Sequence, residues 1–381
     1  MDLNGDLLYQ FLARDHAREI AAVHVRPDFR KRATRIPVLG MTLSRNADRL
    51  ANRFIDYPRW LRRQIGHFDL FHLVDHSYSQ LVHTLPSERT IVTCHDLDTF
   101  QCLLKPEREK RPRWFRAMTQ RILEGFQRAA HVICNSRATR DELAAHGLFP
   151  PERITVIHSG VHPAFSGLPD PSADAETERL LGPDSPSRPM LLSVGSTIPR
   201  KRIDVLLRVF AAVRQEFPSA RLVRAGGPFT AQQQRLANEL GVEQSVLVLP
   251  FLSRNVLASV YRRATLLLQP SEAEGFGMPL AEAMSCGCPV LASSLASLRE
   301  IGGSACQYCP AADVDAWTGR VAAILREHAQ RTSGSPDALR QQALAQAALY
   351  SWAENARQTV LVYRTVLQQL KLPIVQEERL G

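Results

Sequence analysis

The chain has 381 residues, 45% of them hydrophobic and 22% charged, with a formal net charge of +9. These are globular values, and the length suits two domains better than one core, which excludes a disordered chain, a collagen-like rod and a coiled coil. Apolar runs such as 265–269 and 290–292 fall far short of the roughly 20 residues of a membrane span. Residues 1–30 carry Asp, Glu and Arg throughout in place of a signal peptide's apolar stretch. A soluble, cytoplasmic chain is therefore expected.

The charge is uneven. Residues 1–150 hold 24 Lys plus Arg against 17 Asp plus Glu, a net of +7, and the remainder holds 23 against 21, a net of +2. A basic front half fits an anionic partner such as a phospholipid surface, a phosphorylated carrier or nucleic acid, or simply an arginine-rich solvated face. No recognised nucleic-acid module stands behind it, so nucleic acid is not expected. The seven cysteines form an odd set without a secretory signal and read as reduced thiols. Cys286-Gly-Cys288 and Cys306-x-x-Cys309 look like halves of a zinc knuckle. Cys286 and Cys288 equally flank a glycine turn feeding a buried strand, and no metal is expected.

Strand-like segments, short and rich in β-branched residues, occur at 20–25, 68–74, 90–94, 131–134 and 154–157, with helical stretches between several of them. This is the pattern of a parallel sheet with helices on its faces. Residues 166–189 hold Pro169, Pro171, Pro183, Pro186 and Pro189 among Ser, Asp and Gly. They read as a linker without strand or long helix. The alternation then restarts with strands at 190–194, 221–225, 245–249, 265–269 and 289–292, and a helix carrying Ile203, Leu206, Leu207, Phe210 and Val213 on one face. Near the end, Ser351 and Glu354 form a capping-box pattern ahead of Trp352, Val360, Tyr363 and Leu367. The expected organisation is a front domain at 1–165, a linker at 166–189, a second domain at 190–348 and a helix at 349–371 returning to the front domain. Ligands of such sheets bind beyond the carboxyl ends of the strands.

At those ends lie the chemically suggestive residues. After Gln269 come Ser271, Glu274, Gly275, Phe276, Gly277, Met278, Pro279 and Glu282. The glycines allow close backbone approach, and Pro279 suits the first turn of a helix whose free N–H groups and dipole favour a phosphate. Glu282, one turn into that helix, has two acceptor oxygens that match a vicinal diol such as ribose. Glu274 precedes the helix and can reach the other end of one ligand. After Val194 stand Gly195, Ser196, Arg200, Lys201 and Arg202; three cations at a helix start suit an anion among them, or are an exposed basic turn. Gly226-Gly227 follows the next strand.

These motifs resemble the glycosyltransferases of family 4, with the two-domain GT-B fold. The match runs from about residue 68 to 363. Its most specific part is the pair Glu274 and Glu282 within Glu-Gly-Phe-Gly-Met-Pro and Leu-Ala-Glu-Ala-Met. It is supported by Gly195 through Lys201, Gly226-Gly227, Tyr261-Arg-Arg-Ala, Gly287-Cys-Pro-Val and 299–303. The resemblance implies two Rossmann-like domains with parallel sheets facing a central cleft. It implies retaining transfer of a hexose or deoxyhexose, mannose-like above all, from a nucleotide diphosphate sugar to a lipid-linked or polysaccharide acceptor in bacterial surface-glycan synthesis. Glu282 is implied to hold the ribose, and Arg200 and Lys201 to neutralise the diphosphate. Glu274, with the N–H groups of Phe276 and Gly277, is implied to hold the donor sugar. Gly195, Ser196, Gly226, Gly227, Phe251, Ser271, Met278 and Pro279 complete the donor set. The leaving diphosphate takes the acceptor's proton, so no protein nucleophile, metal or other cofactor is required; the protein contributes positioning and charge.

In the front domain His95 resembles the family's histidine near the reacting sugar. Asp96-Leu-Asp98 also looks like a metal-binding Asp-x-Asp. Ser136 and Gly160-Val161 resemble positions near the cleft, or are a helix cap and a turn. Residues 105–116 mix cations with Trp114 and Phe115, as a lipid-facing patch or a solvated helix start over buried aromatics. Two departures stand out. Many relatives carry Arg directly after the glycine at Gly195, where this chain has Ser196. The usual opening strand and glycine-rich loop are missing, so the front sheet is expected to lack its first strand or the natural start to lie upstream. The alternative is a degenerate relative that holds a nucleotide-sugar without catalysis.

Overall fold

The computed structural model describes residues 2–35, 41–183, 188–330 and 338–370. They form two compact units, Met1–Ser159 with Trp352–Gly381, and Gly160–Ser351.

The first unit is built on four parallel strands, β1 (Phe71–Leu73), β2 (Thr90–Cys94), β3 (His131–Cys134) and β4 (Ile154–Val156), in that spatial order. Side chains alternate between the two faces of a strand. Val92, Cys94, Val132 and Cys134 therefore pack on Ile122 and Phe126 of the helix Arg113–Arg128. Ile91 and Ile133 pack on Val362 and Val366 of the helix Trp352–Gln369. That last helix also holds the first one, Asp2–Asp15, through Leu7, Leu8 and Leu12 against Trp352, Ala356 and Val360. The segment 20–25, expected as a strand, is irregular. Ile20 and Ala22 turn inward against the first helix, His24 stacks on Tyr9 at 5.6 Å, and Val23 is 60% exposed. Its apolar alternation is satisfied by a helix surface, so no sheet edge is needed.

The second unit has six parallel strands: β5 (Met190–Val194), β6 (Arg221–Ala225), β7 (Val246–Val248), β8 (Leu266–Gln269), β9 (Val290–Ser293) and β10 (Gln307–Cys309). Their order is β10-β9-β8-β5-β6-β7. The chain order reverses between β5 and β8, and such a switch point leaves a crevice at the carboxyl ends of those two strands. Helices Ile203–Glu216 and Val314–Gln330 cover one face through Phe210, Trp317 and Val321. Helices Arg254–Arg263, Met278–Ser285 and Ala338–Ala347 cover the other through Tyr261, Met284 and Ala343. Cys306 packs in the second of these layers and Cys309 in the first, so that pair diverges. Among the described residues no group of three metal-ligating side chains occurs.

The 166–189 linker is corrected. Residues Pro171–Leu181 form a helix inside the second unit, which begins at Gly160. Pro171 stands at the first helical turn, where a missing N–H costs nothing. Asp170 caps that turn by accepting the Ala173 N–H at 3.1 Å, and Gly182 ends the helix at φ 76°. Pro169, Pro171 and Pro183 stand at or beyond the helix ends and do not break it. Leu181 enters the core, and Asp174 pairs with Arg262 at 2.6 Å.

In the first unit, the helix Arg113–Arg128 crosses the 3₁₀ turn His76–His83 at Gly125. A Cβ there would lie 2.0 Å from Ser79 O and 3.1 Å from Gln80 Cα. Alanine in place of an interior helical glycine normally gains about 1 kcal/mol. Here the backbone contact reverses the sign: Gly125→Ala is expected to lower unfolding stability by about 2 kcal/mol or more, measured by urea denaturation.

Candidate active site

In the second unit, the switch point gathers the loop after β5, the Gly226-Gly227 turn after β6 and the loop after β8. Gly195 leaves β5 at φ 131° and Gly226 leaves β6 at φ 121°, where side chains are strained. A Cβ on Gly226 would lie 2.2 Å from Gly195 O, so the two turns touch through backbone. Gly277, at φ 93°, starts the helix Met278–Ser285 with Pro279 in its first turn. A Cβ there would strike Leu298 at 2.4 Å.

Glu274 is the hub. Its Oε1 accepts from Lys201 Nζ at 2.5 Å, Ser271 Oγ at 2.7 Å and Gln269 Nε2 at 3.0 Å, while Arg200 reaches Oε2 at 3.4 Å. Arg200 also donates to Ala273 O at 2.6 Å, and its own carbonyl accepts the Glu272 N–H at 2.7 Å. Ser297 Oγ holds Glu274 O at 2.7 Å. The 3₁₀ turn Pro199–Lys201 is thereby clamped to the loop after β8. Burial raises the Glu274 carboxyl's proton affinity, but Lys201, Ser271 and Arg200 together hold it below the ordinary value. Arg202 departs from its two neighbours: at φ 48° it turns to Asp204 at 2.8 Å.

Glu282 lies one turn into the next helix and accepts from Tyr261 Oη at 3.0 Å. Burial pushes its carboxyl up to about 7, with Tyr261 and Arg254 pulling the other way. The Phe276 ring is buried edge-on against Tyr350 at 5.7 Å, so its outward contribution is backbone. Ser196 is exposed, Gly227 faces open space, Met278 is half-buried, and Phe251 beyond β7 is 92% exposed. Sequence reasoning missed Gln269, Ser297 and Tyr261 as supports of the two glutamates. Gln269 carried a signal, being polar at the end of an apolar strand.

In the first unit, His95 follows β2 and its Nε2 meets Val74 O at 2.8 Å. A carbonyl accepts only, so Nε2 carries a proton. The His95 N–H donates to His76 Nδ1 at 3.4 Å. His95 borders a cavity of about 30 Å³ with His72, Thr93, Asn135 and Trp352. His72 is consumed by Tyr363 Oη and Thr93 Oγ1, both at 2.7 Å, and burial lowers its pKa to about 3. Asp96 accepts the Asp98 N–H at 3.0 Å, as a turn residue does. Ser136 caps the helix Arg137–Ala145 by accepting the Thr139 N–H at 3.1 Å. Trp114 is 61% exposed and Phe115 half-buried, which goes against the second of the two readings of 105–116, a helix start over buried aromatics.

Two family models match the chain in succession: Glycosyltransferase Family 4 over residues 5–165 and Glycosyl transferases group 1 over 182–342. The D-inositol 3-phosphate glycosyltransferase of Mycobacterium marinum is 31% identical over 248 residues, 63% of this chain and 51% of that protein. The serotype-specific mannosyltransferase WbdA of Escherichia coli is 29% identical over 289 residues, 74% of this chain and 34% of that protein. The chain thus spans between a third and about half of these curated relatives. Among solved structures, sucrose-phosphate synthase of Thermosynechococcus elongatus matches with TM-score 0.68 at 21% identity, covering 84% of this chain and 80% of that one. WaaG, a glycosyltransferase involved in lipopolysaccharide biosynthesis, matches with TM-score 0.62 at 18% identity, covering 96% and 94%. HepE of Anabaena, in complex with UDP and glucose, matches with TM-score 0.63 at 17% identity, covering 97% and 95%. The shared fold is GT-B.

The Glu282 carboxyl yields a pH prediction. Its folded pKa of about 7 lies above the usual 4.5, so the folded state binds the proton more tightly. Stability from this group is full below about 4.5 and is lost as pH rises to about 7. Melting curves between pH 5 and 8 are expected to show this fall in the native chain and a flatter profile for Glu282→Gln. Parallel profiles would refute the assignment.

Proposed function

Because this chain belongs to the group 1, family 4 glycosyltransferases, we propose that it transfers a hexosyl group with retention from a nucleotide diphosphate sugar. The acceptor is a hydroxyl of a lipid-linked or polysaccharide glycan. One observation carries the reading: a cation pair, Arg200 and Lys201, is fixed by Glu274 at the switch point of the second unit. Glu282 and the glycine turns lie on the neighbouring elements.

In this reading the diphosphate lies at Arg200 and Lys201, backed by the N–H groups that open the helix Met278–Ser285. Glu282, held from behind by the buried Tyr261 hydroxyl, takes the ribose hydroxyls. Glu274 reaches the sugar through Oε2, since Oε1 is already filled by three donors. The bond from the sugar's anomeric carbon to the diphosphate breaks. The acceptor oxygen bonds to that carbon from the same face, and its proton passes to the departing phosphate. Arg200 and Lys201 stabilise the charge that develops there, the work a metal does in other transferases.

A mannose-like donor is supported by the mannosyltransferase relative's name, and a polyol acceptor by that of the D-inositol 3-phosphate glycosyltransferase. Peripheral contact with an anionic lipid surface is supported by exposed Trp114 beside Arg113, Arg116 and Lys110. Among the described residues no helix is long and apolar enough to cross a membrane.

The test is a thermal-shift screen of UDP-, GDP- and dTDP-sugars, since a bound donor raises the melting point by mass action. One donor class is expected to do so. Lys201→Ala is expected to weaken that donor roughly ten- to a hundredfold by calorimetry, the worth of one charge-assisted hydrogen bond. No shift with any donor would overturn the reading; donor binding without transfer to any glycan would favour a non-catalytic relative. Proton NMR of the product is expected to show the donor's own anomeric configuration, and inversion would refute retention.

A further inference from the structure

We propose that Arg224 is a positioning cation for the donor's diphosphate, acting from beneath the glycine turn after β5; the proposal rests on the donor reading above. Arg224 lies inside the second unit's sheet, on β6 between Ser193 of β5 and Val248 of β7. It is 1% exposed. Its hydrogen bonds run to neutral oxygens only. One terminal nitrogen lies 2.5 Å from Gly195 O, the other 3.4 Å from Ser193 Oγ, and the buried Nε has no partner. Among the described residues no carboxylate pairs with it. Burial lowers its pKa only to about 10, so it remains a guanidinium at neutral pH. An uncompensated buried charge is a standing penalty on a fold. A parallel strand covered on both faces is ordinarily apolar at such a position.

The surroundings show where the counter-charge enters. Gly195 O is wedged between the Arg224 guanidinium and Gly226, and Gly195 N–H donates to Ala225 O at 2.9 Å. On another side of the same residue, a Cβ built on Gly195 would lie 3.9 Å from Lys201 Nζ. Gly195 therefore sits between two cations, Lys201 on the side of the loop after β8 and Arg224 sealed behind it. A trans peptide directs its N–H opposite to its C=O. With Gly195 O drawn inward by Arg224, the Ser196 N–H points away from the sheet, and no backbone carbonyl among the described residues accepts it. A cation on the carbonyl oxygen polarises the peptide and strengthens that outward donor.

The charge count agrees. Arg200, Lys201 and Arg224 together face one carboxylate, Glu274, while Arg202 is answered by Asp204 and Glu272, so the local excess is positive, the sign that a diphosphodiester requires. Arg224 touches no ligand atom in this arrangement. It fixes the peptide that does and adds a positive charge behind it.

The experiment compares Arg224→Met, which keeps the side chain's bulk, and Arg224→Lys, which keeps the charge, with the native chain. Calorimetric titrations use UDP, GDP, dTDP and ADP and the corresponding nucleosides, alongside melting curves without nucleotide. For the nucleotide that the native chain binds, Arg224→Met is expected to lose roughly tenfold in affinity. Its nucleoside affinity and its melting point without nucleotide are expected to hold or rise, and Arg224→Lys to recover part of the loss. Unchanged diphosphate affinity in Arg224→Met overturns the proposal and leaves the donor reading standing. Failure of Arg224→Met to fold without nucleotide also overturns it, because a cation kept for a ligand is dispensable to the fold. If the native chain binds none of the four nucleotides, the donor reading fails and the proposal with it.

Discussion

A carboxylate withdrawn from water must be met by cations and donors or it takes up a proton. Glu274 is met by Lys201, Arg200, Ser271 and Gln269, and that requirement organises the second unit's crevice. The contact joins segments 73 residues apart in sequence, because β5 and β8 are neighbours although three helices and two strands separate them along the chain. Besides the ion cluster, the turn Pro199–Lys201 is tied to this loop by the Glu272 N–H donated to Arg200 O and by the Arg200 contact to Ala273 O. Buried ion pairs seldom stabilise more than well-packed apolar groups of the same volume. What this one provides is placement: two flexible cationic side chains are held at one spot, so their entropy is already spent before an anion arrives.

The two glutamates are differently conditioned, and the difference follows from their neighbours. Glu274 faces cations and stays ionised. Glu282, with a neutral tyrosine hydroxyl as its hydrogen-bond partner, is pushed towards neutrality by burial. A carboxylate surrounded by cations suits contact with a sugar whose leaving group is anionic. A carboxyl near its midpoint at neutral pH suits hydroxyls, which it can meet as acceptor in either form and as donor when protonated. In the proposed donor reading, the division of labour is thus set by Lys201 and Tyr261 as much as by the glutamates themselves.

Much of the second unit was legible because its central strands β5, β8 and β9 are largely apolar runs buried on both faces, and because glycines at strand ends mark backbone forced into positive φ. The helix Pro171–Leu181 was not legible while proline was treated only as a breaker. The same residue at the first turn begins a helix, and only the Asp170 cap distinguishes the cases. The segment 20–25 misled in the opposite sense, since alternation states which residues turn inward and not whether a sheet edge or a helix receives them. The ion cluster at Glu274 was half legible: the residue types were visible at each loop, but their pairing depends on strand order, which local pattern does not contain. Arg224 was invisible, because in Arg-Leu-Val-Arg-Ala a charged residue reads as solvent-facing until the helices over β6 are in place.

That last case bears on how a site can drift in sequence while keeping its chemistry. The resemblance leads one to expect an arginine directly after Gly195, on the exposed rim of the crevice, and this chain has Ser196 there. A cation on the rim is solvated and screened, and its side chain loses entropy when it clamps a phosphate. A cation beneath the same peptide is held by Gly195 O and Ser193 Oγ, acts through a lower dielectric, and has no freedom left to lose. It carries a desolvation cost for as long as no anion is near. Moving the charge from rim to floor therefore shifts the penalty from the moment of binding to the folding of the domain. A sheet with six strands and two buried helical layers is large enough to bear it.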